Sequence, residues 1–190
     1  MARADFHLVN EADEVEQQFR SVMRRPAGGV SIITAGGGND ITGMTVTSLT
    51  SLSAAPPRLL VSINRQASSF ALIERHRLFR VSILGSDRHG IAGQFSNGRL
   101  KGSQRFEGIE WSPGSSGVPL LSHSPAPIEC RVEEIIERHS HGIVVGSLLS
   151  FELAPRLSGL VYWNGQYVEI DSDSDLDLFA EVGIPLAHVR

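Results

Sequence analysis

One stretch of the sequence concentrates side chains that can bind a ligand. Between Gly43 and Pro57, six hydroxyl side chains fall within nine consecutive residues. Clustered hydroxyl and amide donors without fixed cations can hold a phosphate or the polar edge of a ring. The alternative is a strand whose outer face is rich in serine and threonine, since threonine suits strands. The hydroxyl-bearing residues are Thr45, Thr47, Ser48, Thr50, Ser51 and Ser53.

Apolar residues are interleaved with these hydroxyl groups, which argues against a solvated linker. Burial away from water is favourable for four apolar side chains in the segment, Met44, Val46, Leu49 and Leu52. We therefore expect the backbone of this segment to lie against a core, with hydroxyl and amide groups pointing at a ligand.

Two histidines offer a second possible site. His139 and His141 lie two residues apart, so on a strand they would share one face and could chelate a metal. A third ligand at a useful spacing is absent, so we predict no metal site. A histidine beside a bound ligand and a histidine in a surface turn are the two remaining interpretations.

No nucleophile motif is present. The single cysteine, Cys130, sits in an alternating apolar pattern, which indicates a small buried residue. Lys101 is the only lysine, and it lies in a polar loop with Arg99 and Arg105. These three cations form either an anion-facing patch or a solvated loop.

Composition narrows the class of protein. The chain has 190 residues, 41% hydrophobic and 20% charged, as expected for one globular domain. A net charge of −4 without a basic block argues against a nucleic-acid partner. No apolar run reaches membrane-spanning length and no signal peptide is apparent, so we expect a cytoplasmic protein with no membrane contact.

Periodicity and turn residues predict the elements that must position these side chains. We expect seven or eight strands, joined mostly by hairpins, and two or three short helices. This pattern favours a small antiparallel barrel and argues against a doubly wound parallel sheet. The predicted helices cover residues 11–25, with Asn10 as N-cap, a stretch from an N-cap at Ser68 to Glu74, and residues 87–95. The predicted strands cover residues 30–34, 41–46, 59–63, 79–83, 128–132 with a bulge at 134–136, 143–151, 160–163 and 167–170, and residues 96–118 form a long polar loop.

Taken in order, several stretches resemble the flavin reductase-like family, the short-chain reductases that supply reduced flavin to two-component monooxygenases. The similarity spans roughly residues 15 to 170 at the expected separations. It rests on the segments 19–23, 29–34, 43–48, 51–53, 62–69, 79–84, 95–96, 105–106, 117–120, 128–130, 141–146 and 160–162, together with Pro56-Pro57 and Trp111.

The resemblance implies a mainly β split barrel with short helices that binds FMN, or FAD, and forms a homodimer with the site near the interface. The hydroxyl-rich segment would hold the flavin, and a helix N-terminus at the next turn would favour its phosphate. The implied flavin contacts are Met44, Thr45, Val46, Thr47, Ser48, Ser51, Leu52, Ser53, Asn64, Ser68, Ser69, Phe95, Arg99, Lys101 and Arg105.

The resemblance also implies a catalytic position. His141 matches a residue near the flavin and the nicotinamide, and the family commonly has an aspartate before it. Ser140 stands there in this chain. We therefore expect His141 to orient the reactants through a hydrogen bond rather than to transfer protons.

The sequence thus predicts a reductase that passes a hydride from NADH or NADPH to flavin and supplies a partner flavin-dependent monooxygenase. One alternative is a pyridoxamine-phosphate-oxidase-like flavoenzyme, which would require several cations to bind the phosphate groups of its substrate and flavin. Another is a flavin- or haem-binding protein without turnover.

Three regions are expected along the chain: an N-terminal extension (1–14), the split-barrel domain (15–170) and an acidic C-terminal tail (171–190). The tail contains apolar residues at 178–180 and 184–186 that one small barrel would not bury alone. This tail is a second reason to expect a homodimer.

Overall fold

A computed structural model of the protein describes residues 12–155 and 158–171. Over those residues the helices are α1 (Ala12–Val22), α2 (Ser68–His76) and α3 (His89–Ser96). Two 3-10 turns cover Ser86–Arg88 and Gly102–Phe106. The strands are β1 (Gly28–Gly29), β2 (Ser31–Gly37), β3 (Asp40–Val46), β4 (Thr50–Ala54), β5 (Pro57–Asn64), β6 (Leu78–Ile83), β7 (Trp111–Pro113), β8 (Pro119–Leu121), β9 (Pro127–Arg138), β10 (His141–Phe151), β11 (Ser158–Trp163) and β12 (Gln166–Asp171).

Seven strands form the main sheet, in the order β3-β2-β6-β9-β10-β5-β4. Its neighbouring strands are all antiparallel. A three-stranded sheet, β1-β11-β12, joins it through Val30. The N–H of Val30 donates to the carbonyl of Leu160 at 2.8 Å, and its own carbonyl accepts from Leu84 at 3.0 Å. A two-stranded sheet pairs β7 with β8.

The main sheet must curl into a barrel because its two edge strands are consecutive in the chain. In a flat sheet the edges β3 and β4 would lie about 29 Å apart, at about 4.8 Å per neighbour. The connection from Val46 to Thr50 reaches at most about 14 Å. The sheet therefore nearly closes and leaves a split between β3 and β4. The predicted fold, a mainly β split barrel with short helices, is confirmed.

Two apolar cores stabilise this arrangement. One fills the barrel and includes Val61, Phe79 and Cys130. The other lies beneath α3 and includes Phe95 and Leu160. The prediction of a buried Cys130 is confirmed, and burial raises the pKa of its thiol to about 12, with the charge of Glu129 adding to the effect.

Several predicted boundaries were wrong. Helix α1 ends at Val22, earlier than the predicted residue 25. The N-cap of α2 is Ala67 rather than Ser68, which is the first helical residue. The polar stretch 96–118 contains the 3-10 turn Gly102–Phe106 and strand β7, because Phe106 inserts into the second core.

The bulge in β9 was predicted one residue too late. Val145 pairs with Glu134 and Gly146 pairs with Val132, so Glu133 is the extra residue. The proposed cap at Asn10, most of the N-terminal extension and the tail beyond residue 171 lie outside the described residues. In the part of the chain that the structure describes, none of the helices has the length and apolar character needed to span a membrane.

Candidate functional site

The loop between β3 and β4 is held against the end of β5. The Ser48 hydroxyl donates a hydrogen bond to the carbonyl of Ser62 at 2.9 Å. Two residues further along β5, Asn64 pairs across the sheet with His141, the first residue of β10. The split between the edge strands therefore opens beside Asn64 and His141, which we call the mouth of the barrel.

The N-terminus of α2 lies beside β3. The Ser68 and Thr42 hydroxyls are 3.1 Å apart, and the Ser69 hydroxyl lies 2.9 Å from the sulfur of Met44. No side chain caps the first turn of this nine-residue helix, whose N-cap is Ala67. The N–H of Phe70 donates to the Ala67 carbonyl at 3.0 Å, so the N–H groups of Ser68 and Ser69 are the ones available to an anion, and the helix dipole favours negative charge there.

The hydroxyl-rich segment does not present all of its hydroxyl groups to one side. Thr45 donates to the carbonyl of Ala92 in α3 at 2.7 Å, so it anchors β3 to that helix. Ser51 and Ser53, on β4, line a mostly apolar pocket of about 470 Å³ that is also bounded by Phe151. The segment thus contributes to two separate surfaces, one at β3 and one at β4.

Phe95 lies beneath β3 rather than on the surface. Its ring is 1% exposed and packs edge-to-face on Phe106, with ring centroids 5.1 Å apart. A Cβ atom added at Gly43 would lie 2.5 Å from this ring, so Gly43 lets the strand and the ring approach closely. Phe95 can support the strand that would meet a ligand.

The three predicted cations differ in their surroundings. A guanidinium N–H of Arg105 donates to the Phe95 carbonyl at the end of α3, and burial lowers the pKa of Arg105. Arg99 and Lys101 are exposed, and neither forms an ion pair with another described residue. Arg105 therefore has a structural contact, whereas Arg99 and Lys101 can meet an anion.

His141 is exposed at the mouth. The hydroxyl of Ser140 lies 2.9 Å from its Nδ1. The backbone N–H of Arg65, on the turn leading to α2, donates to the Ser140 carbonyl at 2.9 Å, and the Arg65 side chain pairs with Glu137 at 2.6 Å. These contacts join the turn before β10 to the turn before α2. Within residues 12–155 and 158–171, no group of three or more His, Cys, Asp or Glu side chains could hold a metal ion.

A second pocket beside β3 involves residues to which the sequence analysis gave no role. Tyr162 and Tyr167 face each other across the β11–β12 hairpin, with ring centroids 5.6 Å apart. With Thr45, Thr47 and Ser96 they line a pocket of about 260 Å³. Burial raises the pKa of Tyr167, and a hydrogen bond with Ser96 opposes that effect. Two tyrosines flanking a tight turn were a visible sequence signal, but only the fold brings them next to β3.

These features define an antiparallel split barrel with a polar mouth, a free helix N-terminus beside it and a neighbouring aromatic pocket. Residues 23–171 match the family model for the flavin reductase like domain. The chain belongs to the flavin reductase-like family.

Known proteins similar to this chain support the same assignment. It is 35% identical over 170 residues to the reductase component of an FADH(2)-dependent resorcinol hydroxylase from Rhizobium sp., covering 88% of this chain and 94% of that protein. It is 28% identical over 155 residues to FMN reductase (NADH) RutF 2 from Rhizobium rhizogenes, covering 82% of this chain and 89% of that protein.

A solved structure is similar over almost the same length. The NADH:FAD oxidoreductase SgcE6 of Streptomyces globisporus C-1027, in complex with NAD and FAD fragments, has a TM-score of 0.78 and 28% identity. The superposition covers 90% of this chain and 100% of that one.

Proposed function

We propose that this protein is an NAD(P)H-dependent flavin reductase that supplies reduced flavin to a partner flavin-dependent monooxygenase. The chain is a member of the NAD(P)H:flavin oxidoreductase family, and its relatives include the reductase component of a two-component hydroxylase. The observation that carries the proposal is the mouth of the barrel, where an edge strand, a helix N-terminus and His141 lie together.

The residues at the mouth fit a flavin. As an edge strand of the main sheet, β3 has backbone N–H and C=O groups that no neighbouring strand uses, and these suit the polar edge of a ring. The Ser68 and Ser69 end of α2 suits a phosphate. Asn64 uses its side-chain oxygen to accept from the N–H of Gln66 at 2.9 Å, so its amide N–H groups remain donors.

The other predicted contacts have supporting roles in this proposal. Ser48 fixes the loop to β5, while Met44 and Val46 hold β3 on the core. Arg99 and Lys101 add positive charge for phosphate groups. The remaining members of the proposed set are Thr45, Thr47, Ser51, Leu52, Ser53, Phe95 and Arg105.

A bound flavin accepts a hydride from a reduced nicotinamide, and the protein supplies binding and orientation. His141 can do this at the mouth. If the Ser140 hydroxyl donates to Nδ1, the other ring nitrogen, Nε2, carries the hydrogen and can donate to a carbonyl of either reactant. This role needs no proton transfer by the protein.

The flavin is FMN or FAD, and relatives of this chain carry both names. We also propose a homodimer, because several large apolar side chains remain exposed on the single chain. Phe19 and Val22 of α1 are each 61% exposed, as is Phe151 of β10.

No observation favours the two alternatives that the sequence left open. A pyridoxamine-phosphate-oxidase-like enzyme would want several free cations at the site. Of the four basic residues considered for this region, Arg65 is paired with Glu137 and Arg105 with the Phe95 carbonyl, which leaves two, Arg99 and Lys101.

Steady-state oxidation of NADH and of NADPH, each with FMN, FAD and riboflavin, tests the proposal. We expect flavin-dependent oxidation that requires the protein. Flavin binding without turnover of either nicotinamide would support a non-catalytic flavin protein instead. Absence of both binding and turnover would refute the proposal.

A further inference from the structure

We infer that the pocket between Thr45, Thr47, Ser96, Tyr162 and Tyr167, here the tyrosine pocket, binds the adenine ring of a dinucleotide substrate. The ring could come from FAD or from NADH, and the experiment below separates these sources. The inference rests on the proposed flavin reductase function and adds a site for the part of the ligand that does not react.

The position of the tyrosine pocket suits the far half of a ligand. Thr45 and Thr47 belong to the hydroxyl-rich segment, so the pocket adjoins β3 at the residues proposed to meet the flavin. Its other wall comes from the β11–β12 hairpin and from Ser96 at the end of α3. A ligand with two ring systems on a flexible link can therefore occupy the mouth and this pocket together.

The chemistry of the lining selects a neutral aromatic ring. The lining residues, which also include Val30 and Val46, carry no charge, so a phosphate has no cation to meet there. The two tyrosine rings are tilted by 64° rather than stacked on each other. The two rings meet edge-on and do not stack in parallel. A base can therefore stack on an aromatic face of the pair.

One hydroxyl group at the pocket can form a hydrogen bond with the edge of a base. Thr47 is exposed, and its hydroxyl has no hydrogen bond to another described residue. Ser96 donates to the Gly93 carbonyl at 2.9 Å and shares a hydrogen bond with Tyr167, so Thr47 carries the free hydroxyl of the pocket. A pocket of about 260 Å³ has room for a purine. Adenine is the purine that FAD and NADH share.

The test compares ligands with and without adenine in the Tyr162→Leu variant. The affinity ratio of FAD to FMN reports on the adenine of FAD. The kcat/KM ratio of NADH to reduced nicotinamide mononucleotide reports on the adenine of NADH. We expect one of these ratios to fall about tenfold, the size of one lost base–aromatic stack, equivalent to about 1.4 kcal/mol.

Two matched variants separate stacking from general damage. Tyr162→Phe keeps the ring and should keep both ratios within about twofold of the wild type. Trp163→Leu makes the same kind of change one residue later on β11, outside the pocket, and should leave both ratios unchanged. Melting temperatures of all variants check folding.

A fall in the FAD ratio assigns the pocket to flavin, and a fall in the NADH ratio assigns it to the nicotinamide substrate. Unchanged ratios in a folded Tyr162→Leu protein that still reduces flavin would overturn the inference and leave the proposed function intact. If that variant does not fold, inhibition of the wild-type protein by 5′-AMP tests the inference instead. The nucleotide should inhibit competitively against FAD or NADH, and no inhibition at millimolar AMP would overturn the inference.

Discussion

Replacing Gly43 by alanine tests whether α3 and its Phe95 ring set the position of β3. The added Cβ atom would lie 2.5 and 2.8 Å from two carbons of that ring and 3.0 Å from the carbonyl oxygen of Ile33. Phe95 is 1% exposed and packed on Phe106, so it has no space into which to turn. The strand must therefore move, and its free edge moves with it.

The size of the effect follows from overpacking a closed core. Such substitutions cost about 1–3 kcal/mol of folding free energy. For a chain of this length, each kcal/mol lowers the melting temperature by about 2–4 °C, so we expect a decrease of about 2–12 °C. Because β3 carries the proposed flavin contacts, FMN affinity should also fall.

Thermal unfolding and FMN titration of the same samples measure both effects. Gly93→Ala is the matched control, since Gly93 lies in α3 and an added Cβ meets no atom within 4 Å. That substitution should stabilise the protein by about 0.5–1 kcal/mol, because alanine favours a helix. If Gly43→Ala melted with the wild type and bound FMN equally well, the close contact between β3 and Phe95 would be refuted.

Four further outcomes are expected. Ser48→Ala should weaken FMN binding about 2- to 12-fold, because it releases the β3–β4 loop from β5. The control Ser112→Ala, on the exposed part of β7, should not weaken binding. Equal effects of the two substitutions would contradict the role of the loop. His141→Ala should lower kcat/KM for NADH about tenfold with little change in flavin affinity. The control is His139→Asn, because φ at His139 is +50° and asparagine tolerates that conformation; equal activity losses in the two variants would refute an orienting role. Because burial raises the pKa of Cys130 to about 12, the thiol of the folded protein should resist alkylation by iodoacetamide at pH 8, and rapid labelling would contradict this burial. Urea unfolding should also show that the free energy of unfolding falls as the pH rises above the pKa of about 8.5 that the thiol has in the unfolded chain. Sedimentation at micromolar concentration with flavin should give a dimer mass, and a monomer would argue against the shared interface.

Local patterns in the sequence predicted most of the strands. In β9, the alternation of Ile128, Cys130 and Val132 with charged residues follows the period of a half-buried strand. At the β11–β12 turn, Asn164 and Gly165 adopt φ of 50° and 85°, a conformation that these residue types favour. Such signals reside in adjacent residues, so they can be read without knowing the partner strand.

The set of residues proposed to bind flavin at the mouth came from the sequence through a resemblance to a family. Spacing alone left the hydroxyl-rich segment either a binding site or a strand face. Nothing in the residues around Asn64 shows that it pairs with His141, which is far away in the chain. The family resemblance supplied that association because it carries the fold with it.

Only the tertiary structure decided which surfaces come together. The period of Val15, Phe19 and Val22 predicts an apolar helix face, yet these side chains remain 43–61% exposed. The pocket that Tyr162 and Tyr167 share with Thr47 depends on the three-stranded sheet packing beside β3. Periodicity shows that one face of an element is apolar or aromatic. The surface that packs against this face depends on pairing between strands that are distant in the chain, and the pattern of neighbouring residues does not encode that pairing.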